Sequence, residues 1–167
     1  MTGSALHRVA QFWRHTSARV STVELARVRD LLGPALSRYF LELPVNDQRH
    51  GLDVLETLRR NEPEPPLVLQ QAGLLHDMGK AGARISVVER SATVFLRAAA
   101  PRLLQMLLHA RPGFARRYGI YRDHARIGAE RLHAVGAVEL AAVVAEHHAP
   151  YPTLDLTRRL QLADGAN

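Results

Sequence analysis

The sequence contains no cysteine, a single lysine and few aromatic side chains, which make up 5% of its 167 residues. The lack of cysteine excludes disulfides, thiolate metal sites and a cysteine nucleophile. No apolar run approaches the ~20 residues that a membrane-spanning helix needs. The first 20 residues also lack the continuous apolar segment of a signal peptide. These absences predict a cytoplasmic protein with no membrane span.

Basic residues outnumber acidic ones by 22 to 16, which gives a formal net charge of +6. All but one of the basic residues are arginines, and they are scattered along the chain. They are not interleaved with aromatic residues as in proteins that bind single-stranded nucleic acids, so there is no strong nucleic-acid signal. Two interpretations remain open, namely a solvated surface and attraction of a small phosphorylated substrate.

The apolar pattern predicts helices along nearly the whole chain. There is no clear run of alternating β-branched residues, and no Asn-Gly or Asp-Gly turn separates two such runs. With 47% hydrophobic residues, the chain is long enough to bury one core. We therefore predict an all-α fold, with an N-terminal helical extension at residues 1–44 and a helical domain at residues 45–167, packed as one unit.

Capping, proline and glycine signals divide the chain into predicted helices. The first covers about residues 21–41, with Ser21 or Thr22 as its N-cap, Glu24 placed for a capping box, and a kink at Gly33-Pro34. Gly79 suits the C′ position that would end the third helix. A loop is expected at 111–121, which contains one proline and two glycines. The other predicted helices cover about 46–60, 66–78, 86–110 with a break at Pro101, 123–134, 137–148, and the chain from 153 onward.

Histidines and aspartates recur at the ends or edges of these helices, where an isolated ionisable residue would be costly to bury. Imidazole and carboxylate groups suit Fe, Mn, Ni, Co or Zn, and a carboxylate can bridge two ions. Seven such residues exceed what one tetrahedral site can use, but they fit two ions that share a bridge. We therefore predict a site for two divalent transition metal ions (Fe, Mn, Ni or Zn). The predicted ligands are His50, His76, Asp77, His124, His147, His148 and Asp164.

The order of these residues resembles that of the HD superfamily of metal-dependent phosphohydrolases. The segment LLHDMGK, with the pair His76-Asp77, is similar to the HD-x-G-K motif of the HDIG and HD-GYP branches. Four further segments resemble the other ligand-bearing helices of the superfamily: QRHGLDVLETL, DHARIGAERL, VVAEHH and LQLAD. The resemblance covers about residues 45–165 and implies a single helical bundle with the metal site at its centre.

The resemblance also implies a role for each residue. One metal ion would be held by His50, His76, Asp77 and Asp164, and the second by the bridging Asp77 with His124, His147 and His148. Asp77 and Lys80 would be the catalytic residues, with Lys80 contacting the substrate phosphate. The implied reaction is hydrolysis of a phosphomonoester or phosphodiester of a nucleotide or cyclic dinucleotide by a metal-bridging hydroxide. Weaker candidates for phosphate binding are the nearby Arg49, Arg84 and Arg126.

Several alternatives stay open. The chain lacks the Asp-Gly and Gly-Tyr-Pro segment that follows the histidine pair in the HD-GYP branch, which weighs against cyclic di-GMP as the substrate. A di-iron oxygenase and a non-catalytic signalling or scaffold module are the alternative functions, and a homodimer is left open. The apolar segment 87–110 is interpreted as core packing, with a lid over the metals, a partner surface or a membrane-surface contact as alternatives, and Arg90 and Arg97 within it are interpreted as structural. Glu146 is interpreted equally as a partner of a ligand or as a solvated residue.

Overall fold

The computed structural model describes residues 19–83 and 85–167. Within these ranges it contains nine α-helices, one 3₁₀ turn and no strand, which confirms the predicted all-α fold. Residues 1–18 of the predicted N-terminal extension lie outside the described ranges. None of the described helices is both long and apolar enough to cross a bilayer. The helices are α1 (Thr22–Leu41), α2 (Val45–Asn61), α3 (Leu67–Leu75), α4 (Val87–Ala99), α5 (Pro101–Ala110), α6 (Pro112–Arg122), α7 (His124–His133), α8 (Val138–Ala145) and α9 (Asp155–Gly165).

Helix α1 begins and bends as its sequence predicts. The Ser21 hydroxyl accepts a hydrogen bond from the Glu24 amide, and the Glu24 carboxylate accepts one from the Ser21 amide, which completes the capping box. Gly33 has φ of 64°, a left-handed conformation that favours glycine, and it is followed by Pro34. The kink confirms the predicted break, and the buried side chains on both sides of it, such as Val28 and Phe40, join the main core.

The main core surrounds α3. This short helix packs against α1, α2, α8 and α9, and most of its residues are buried. Because α3 is enclosed in this way, the residues at its carboxyl end are delivered to the middle of the bundle. The core combines side chains from six helices, including Phe40, Leu55, Leu75, Leu132 and Leu160, all of them fully buried.

Helices α4, α5 and α6 form a smaller unit beside this core. Their own cluster contains Leu104 and Tyr118 together with Ala83 and Ile85 from the preceding segment. The outer apolar side chains of α4 and α5 remain exposed, with Val88 at 77% and Phe95 at 68%. The prediction of core packing for residues 87–110 is therefore wrong for much of that segment, since amphipathic helices can bury one face and leave the other in solvent.

The loop predicted at residues 111–121 is also wrong, because most of that segment forms α6. Pro112 lies in the first turn of this helix, where a proline is favoured because the missing N–H would have no intrahelical partner. Gly119 lies inside the helix, where one glycine costs only ~1 kcal/mol relative to alanine. Helix α6 ends at Arg122 and α7 starts two residues later at His124.

Candidate metal centre

The centre is built on a sharp turn at the end of α3. His76 is the C-cap of this helix, Asp77 follows, and Met78–Lys80 form the 3₁₀ turn. This turn packs on the first turn of α7. A Cβ atom at Gly79 would lie 2.0 Å from the carbonyl oxygen of His124 and 2.8 Å from the amide nitrogen of Gly128. Gly79 therefore lies beyond the C′ position predicted for it, and close backbone packing explains why this position needs a glycine.

The structure brings all seven predicted ligands together. They come from α2, from the turn after α3, from the first residue of α7, from the segment after α8 and from the end of α9. They fall into two groups, and within each group the candidate ligand atoms lie within 4.8 Å of one another. One group contains His50, His76 and Asp164, and the other contains Asp77, His124, His147 and His148.

Asp77 lies between the two groups. Its Oδ1 atom is 3.1 Å from Nε2 of His124 and 3.8 Å from Nε2 of His147. Its Oδ2 atom is 3.5 Å from Nε2 of His76, which belongs to the other group. The two oxygens of one carboxylate thus face different sets of imidazoles, which is the arrangement that a bridging ligand needs.

Backbone carbonyls orient three of the imidazoles. Nδ1 lies 3.1 Å from the Gly73 oxygen in His76, 2.7 Å from the Tyr121 oxygen in His124 and 2.6 Å from the Val144 oxygen in His147. A carbonyl only accepts, so Nδ1 carries the proton in each ring and the Nε2 lone pair points into the centre. When these rings are neutral, Nε2 of His124 and Nε2 of His147 face each other as two acceptors at 3.2 Å.

The donors fit a metal ion. Nε2 of His76 and Oδ1 of Asp77 are buried and have no hydrogen-bond partner among the described residues. An unpaired buried polar atom costs ~1–3 kcal/mol, so such atoms need an explanation. Divalent cations held by the two groups would coordinate these atoms and would also separate the facing lone pairs of the imidazoles. Nitrogen and carboxylate donors in this number suit a first-row transition metal.

The electrostatics keep the ligands in the forms that bind metal. Burial would raise the pKa of Asp77, but His76, Lys80 and His124 outweigh it and hold the pKa well below its ordinary value. Burial lowers the pKa of His76, and it lowers the pKa of His147 to about 3 with help from the charges of His76 and His148. Metal ligands must be deprotonated, so both effects prepare the centre for a cation.

The contact between His50 and Asp164 has the opposite effect on a histidine pKa. Nε2 of His50 lies 2.9 Å from Oδ1 of Asp164, which is also 3.7 Å from Nε2 of His76. Although burial lowers the pKa of His50, the hydrogen bond to Asp164 and the charge of Asp77 raise it overall. A metal entering the first group must therefore displace a proton from this pair.

Lys80 joins the centre from the 3₁₀ turn. Its ammonium group lies 2.5 Å from Oδ2 of Asp77 and 5.7 Å from the ring centroid of Tyr121. The side chain is largely buried, at 13% exposure. The only lysine of the chain thus lies within the candidate centre rather than on a solvated surface.

The model of the family described as HD domain matches residues 49–166, well over half of the chain. The chain belongs to the HD domain family. Members of this family are mostly metal-dependent phosphohydrolases and bind divalent metals, so membership indicates a hydrolase type of function. The comparisons with curated proteins and with solved structures gave no match. The matched region of the HD domain includes all seven ligand candidates.

The structure does not bring Arg49 and Arg126, two of the predicted phosphate-binding arginines, to this centre. Arg49 donates to Glu24 at 2.5 Å and to Asp53 at 3.0 Å, which joins α1 to α2. Arg126 is exposed and pairs with Glu130 at 2.6 Å along its own helix. Both guanidinium groups therefore have carboxylate partners outside the centre. Arg84 lies outside the described residues.

Glu146 also has a different role from the two that its sequence position suggested. Its carboxylate accepts hydrogen bonds from the backbone amide and the hydroxyl of Thr153, at 2.8 and 2.7 Å. The contact is to the loop that leads into α9, and it involves no candidate ligand. Glu146 thus fixes the path of the chain between the histidine pair and Asp164.

A cleft of about 380 Å³ opens beside the second ligand group, where His124 and His148 form part of its wall. Helix α4 contributes Thr93, Val94 and Arg97, and α6 contributes Tyr118, Tyr121 and Arg122. The sequence interpretation treated Arg97 as structural, because sequence distance from the motifs gave no reason to place it here. Thr93 and Arg97 are four residues apart and therefore lie on the same face of a helix, which was the only sequence signal that could have placed Arg97 beside Thr93 in this cleft.

Proposed function

We propose that this HD-domain chain is a two-metal phosphohydrolase that acts on a phosphomonoester or phosphodiester, with a nucleotide or cyclic dinucleotide as the substrate class. The observation that carries the proposal is the division of seven donors, all but His148 buried or half-buried, into two groups with the Asp77 carboxylate between them. Both oxygens of Asp77 have imidazole neighbours, one set in each group. This geometry supports a binuclear centre over a single ion.

The chain's own residues have separable roles in this proposal. His50, His76 and Asp164 would hold one ion with Asp77, and His124, His147 and His148 would hold the other. Two bound divalent ions would lower the pKa of a water molecule and neutralise charge on the phosphoryl oxygens. The carbonyls of Gly73, Tyr121 and Val144 fix the imidazoles through Nδ1, so little reorganisation is needed when the centre is loaded.

Lys80 supports a hydrolase rather than an oxygenase. Its ammonium group lies at the edge of the candidate centre and belongs to the HD-x-G-K form of the motif. When a phosphoryl group is bound, the ammonium can leave Asp77 and donate to a phosphoryl oxygen on which negative charge develops. The complete set of donors also favours an enzyme over a non-catalytic module, which would have no need to retain them.

The test is phosphate release from a panel of nucleotides, cyclic dinucleotides and generic phosphoesters by protein loaded with Mn, Fe, Ni or Zn. Asp77→Asn keeps the size of the side chain and removes its charge, so we expect it to abolish both metal binding and turnover while helical circular dichroism is retained. Turnover by Asp77→Asn at the wild-type rate would contradict the proposal. Oxygen consumption with a mixed-valent iron signal and no phosphate release would favour the oxygenase.

A further inference from the structure

The cleft beside the metal centre has a positively charged wall that the proposed chemistry does not use. Arg97 of α4 lines the same cleft as His124 and His148. The cleft volume of about 380 Å³ lies within the range of ~300–1,000 Å³ that is typical of small-molecule sites. There is therefore room for a substrate that extends from the metal centre along α4.

Arg97 differs from its neighbours in having no hydrogen-bond or ion-pair partner in the part of the chain that the structure describes. Arg122 also lines the cleft, but its guanidinium donates to both oxygens of Asp123, at 2.7 and 2.9 Å. Arg90 lies 3.6 Å from Asp47, and Arg117 lies 2.9 Å from Glu89. Arg97 makes no hydrogen bond or ion pair with any other described residue. Its donors are thus available to a ligand.

The position of Arg97 on α4 also separates its backbone from the end of that helix that lies beside the centre. Arg90, two turns earlier on the same helix, has its guanidinium 5.3 Å from the ring centroid of Tyr121, and that ring also neighbours Lys80 and His124. The Arg90 end of α4 therefore lies beside the centre. Seven residues correspond to a rise of ~10 Å along a helix, so the backbone of Arg97 lies about one such rise along α4 from the Arg90 end.

We propose that Arg97 is a specificity-determining residue that binds a second anionic group of the substrate, away from the phosphoryl group at the metal centre. The inference rests on the proposed function and narrows its substrate class to phosphoesters with two or more anionic groups. A planar guanidinium suits such a group because it offers two parallel N–H donors to a phosphate or carboxylate. Arg97 would affect binding rather than the chemical step.

The test uses metal-loaded wild-type protein, Arg97→Gln, and the matched control Arg102→Gln, which removes an exposed arginine from the neighbouring helix α5. The probes are adenosine 5′-monophosphate and adenosine 3′,5′-bisphosphate, which differ only in the second phosphate. Phosphate release gives kcat and KM, and isothermal titration calorimetry gives Kd without requiring turnover.

We expect the wild type and the control to bind the bisphosphate about tenfold more tightly than the monophosphate, as one charge-assisted contact would produce. Arg97→Gln should remove this preference and raise KM for the bisphosphate about tenfold, while kcat and the KM for the monophosphate change less than about twofold. Arg97→Lys should restore part of the preference, since it keeps the charge but loses the paired donors.

Equal wild-type affinity for the two probes, binding of neither, or bisphosphate binding that Arg97→Gln leaves unchanged would overturn the role of Arg97. The proposed function is tested separately by the rates of phosphate release. A calorimetric preference that depends on Arg97, without phosphate release from any probe, would support the recognition site and contradict the hydrolase.

Discussion

Gly79→Ala tests whether the turn after α3 sets the geometry of the metal centre. The added methyl group would lie 2.0 Å from the His124 carbonyl oxygen, a contact that real Cβ atoms do not make, and 2.8 Å from the Gly128 nitrogen. Both atoms are backbone atoms of α7, so no side-chain rotation relieves the clash. The turn and α7 must separate, and His124 moves with the helix that it begins.

The magnitude follows from the cost of overpacking. Inserting a methyl group into a packed interior costs ~1–3 kcal/mol, and clashes with two backbone atoms of α7 place this variant at the upper end of that range, ~3 kcal/mol. For a chain of this size, each kcal/mol lowers Tm by ~2–4 °C, so we expect Gly79→Ala to melt ~6–12 °C below the wild type. Metal content should fall as well, because Nε2 of His124 is displaced from its partners.

The assay is thermal unfolding in the presence of a chelator, followed by elemental analysis of protein reconstituted with metal. Gly119→Ala is the matched control, since its Cβ would point into open space, with no described atom beyond the local helix backbone within 4 Å. We expect that control to keep or slightly raise Tm, because alanine favours a helix by ~1 kcal/mol over glycine. A Gly79→Ala variant with wild-type Tm and wild-type metal content would refute the packing argument.

Two further predictions concern charge in the centre. Lys80→Met should lower kcat by roughly 10–100-fold with metals still bound, because a donor to the reacting phosphoryl group is lost, whereas Lys80→Arg should retain part of the rate; an unchanged kcat would exclude Lys80 from the reaction. The metal-free protein should lose stability as the pH falls below about 6.5, the ordinary histidine pKa. The unfolded chain then gains protons that His147, with a pKa of about 3, and His76 do not take up when folded. The raised pKa of His50 opposes this effect, but it is one group against the two histidines with lowered pKa values. A Tm of the metal-free protein that is equal or higher at pH 5.5 than at pH 7.5 would contradict the lowered pKa values of His147 and His76.

The sequence predicted the features that depend on local chemistry. Histidine and aspartate at helix ends are conspicuous because charged groups are costly to bury, and the seven of them converge in the fold. The capping box at Ser21 and the kink at Gly33 are equally local, since each is decided within four residues. Family membership was also predictable, because five segments in one order carry more information than the His76-Asp77 pair alone.

The features that depend on tertiary contacts were not predictable in the same way. Gly79 was expected to stop a helix, but its requirement comes from the backbone of α7, which is distant in sequence. The apolar pattern of residues 87–110 cannot distinguish a helix that is enclosed from one that leaves Phe95 in solvent. Similarly, Arg49 was assigned to phosphate by its proximity to His50 in sequence, whereas Glu24 and Asp53 pair with it in space.

The most direct test of the binuclear centre is the number of metal ions bound per chain. Elemental analysis of purified protein, reconstituted with Mn or Fe and freed of excess metal, should give two ions for the wild type. Replacing both His147 and His148 with alanine should leave one ion, held by the group of His50, His76 and Asp164 together with Asp77. A wild-type protein that binds one ion or none after reconstitution would contradict the proposed two-metal centre.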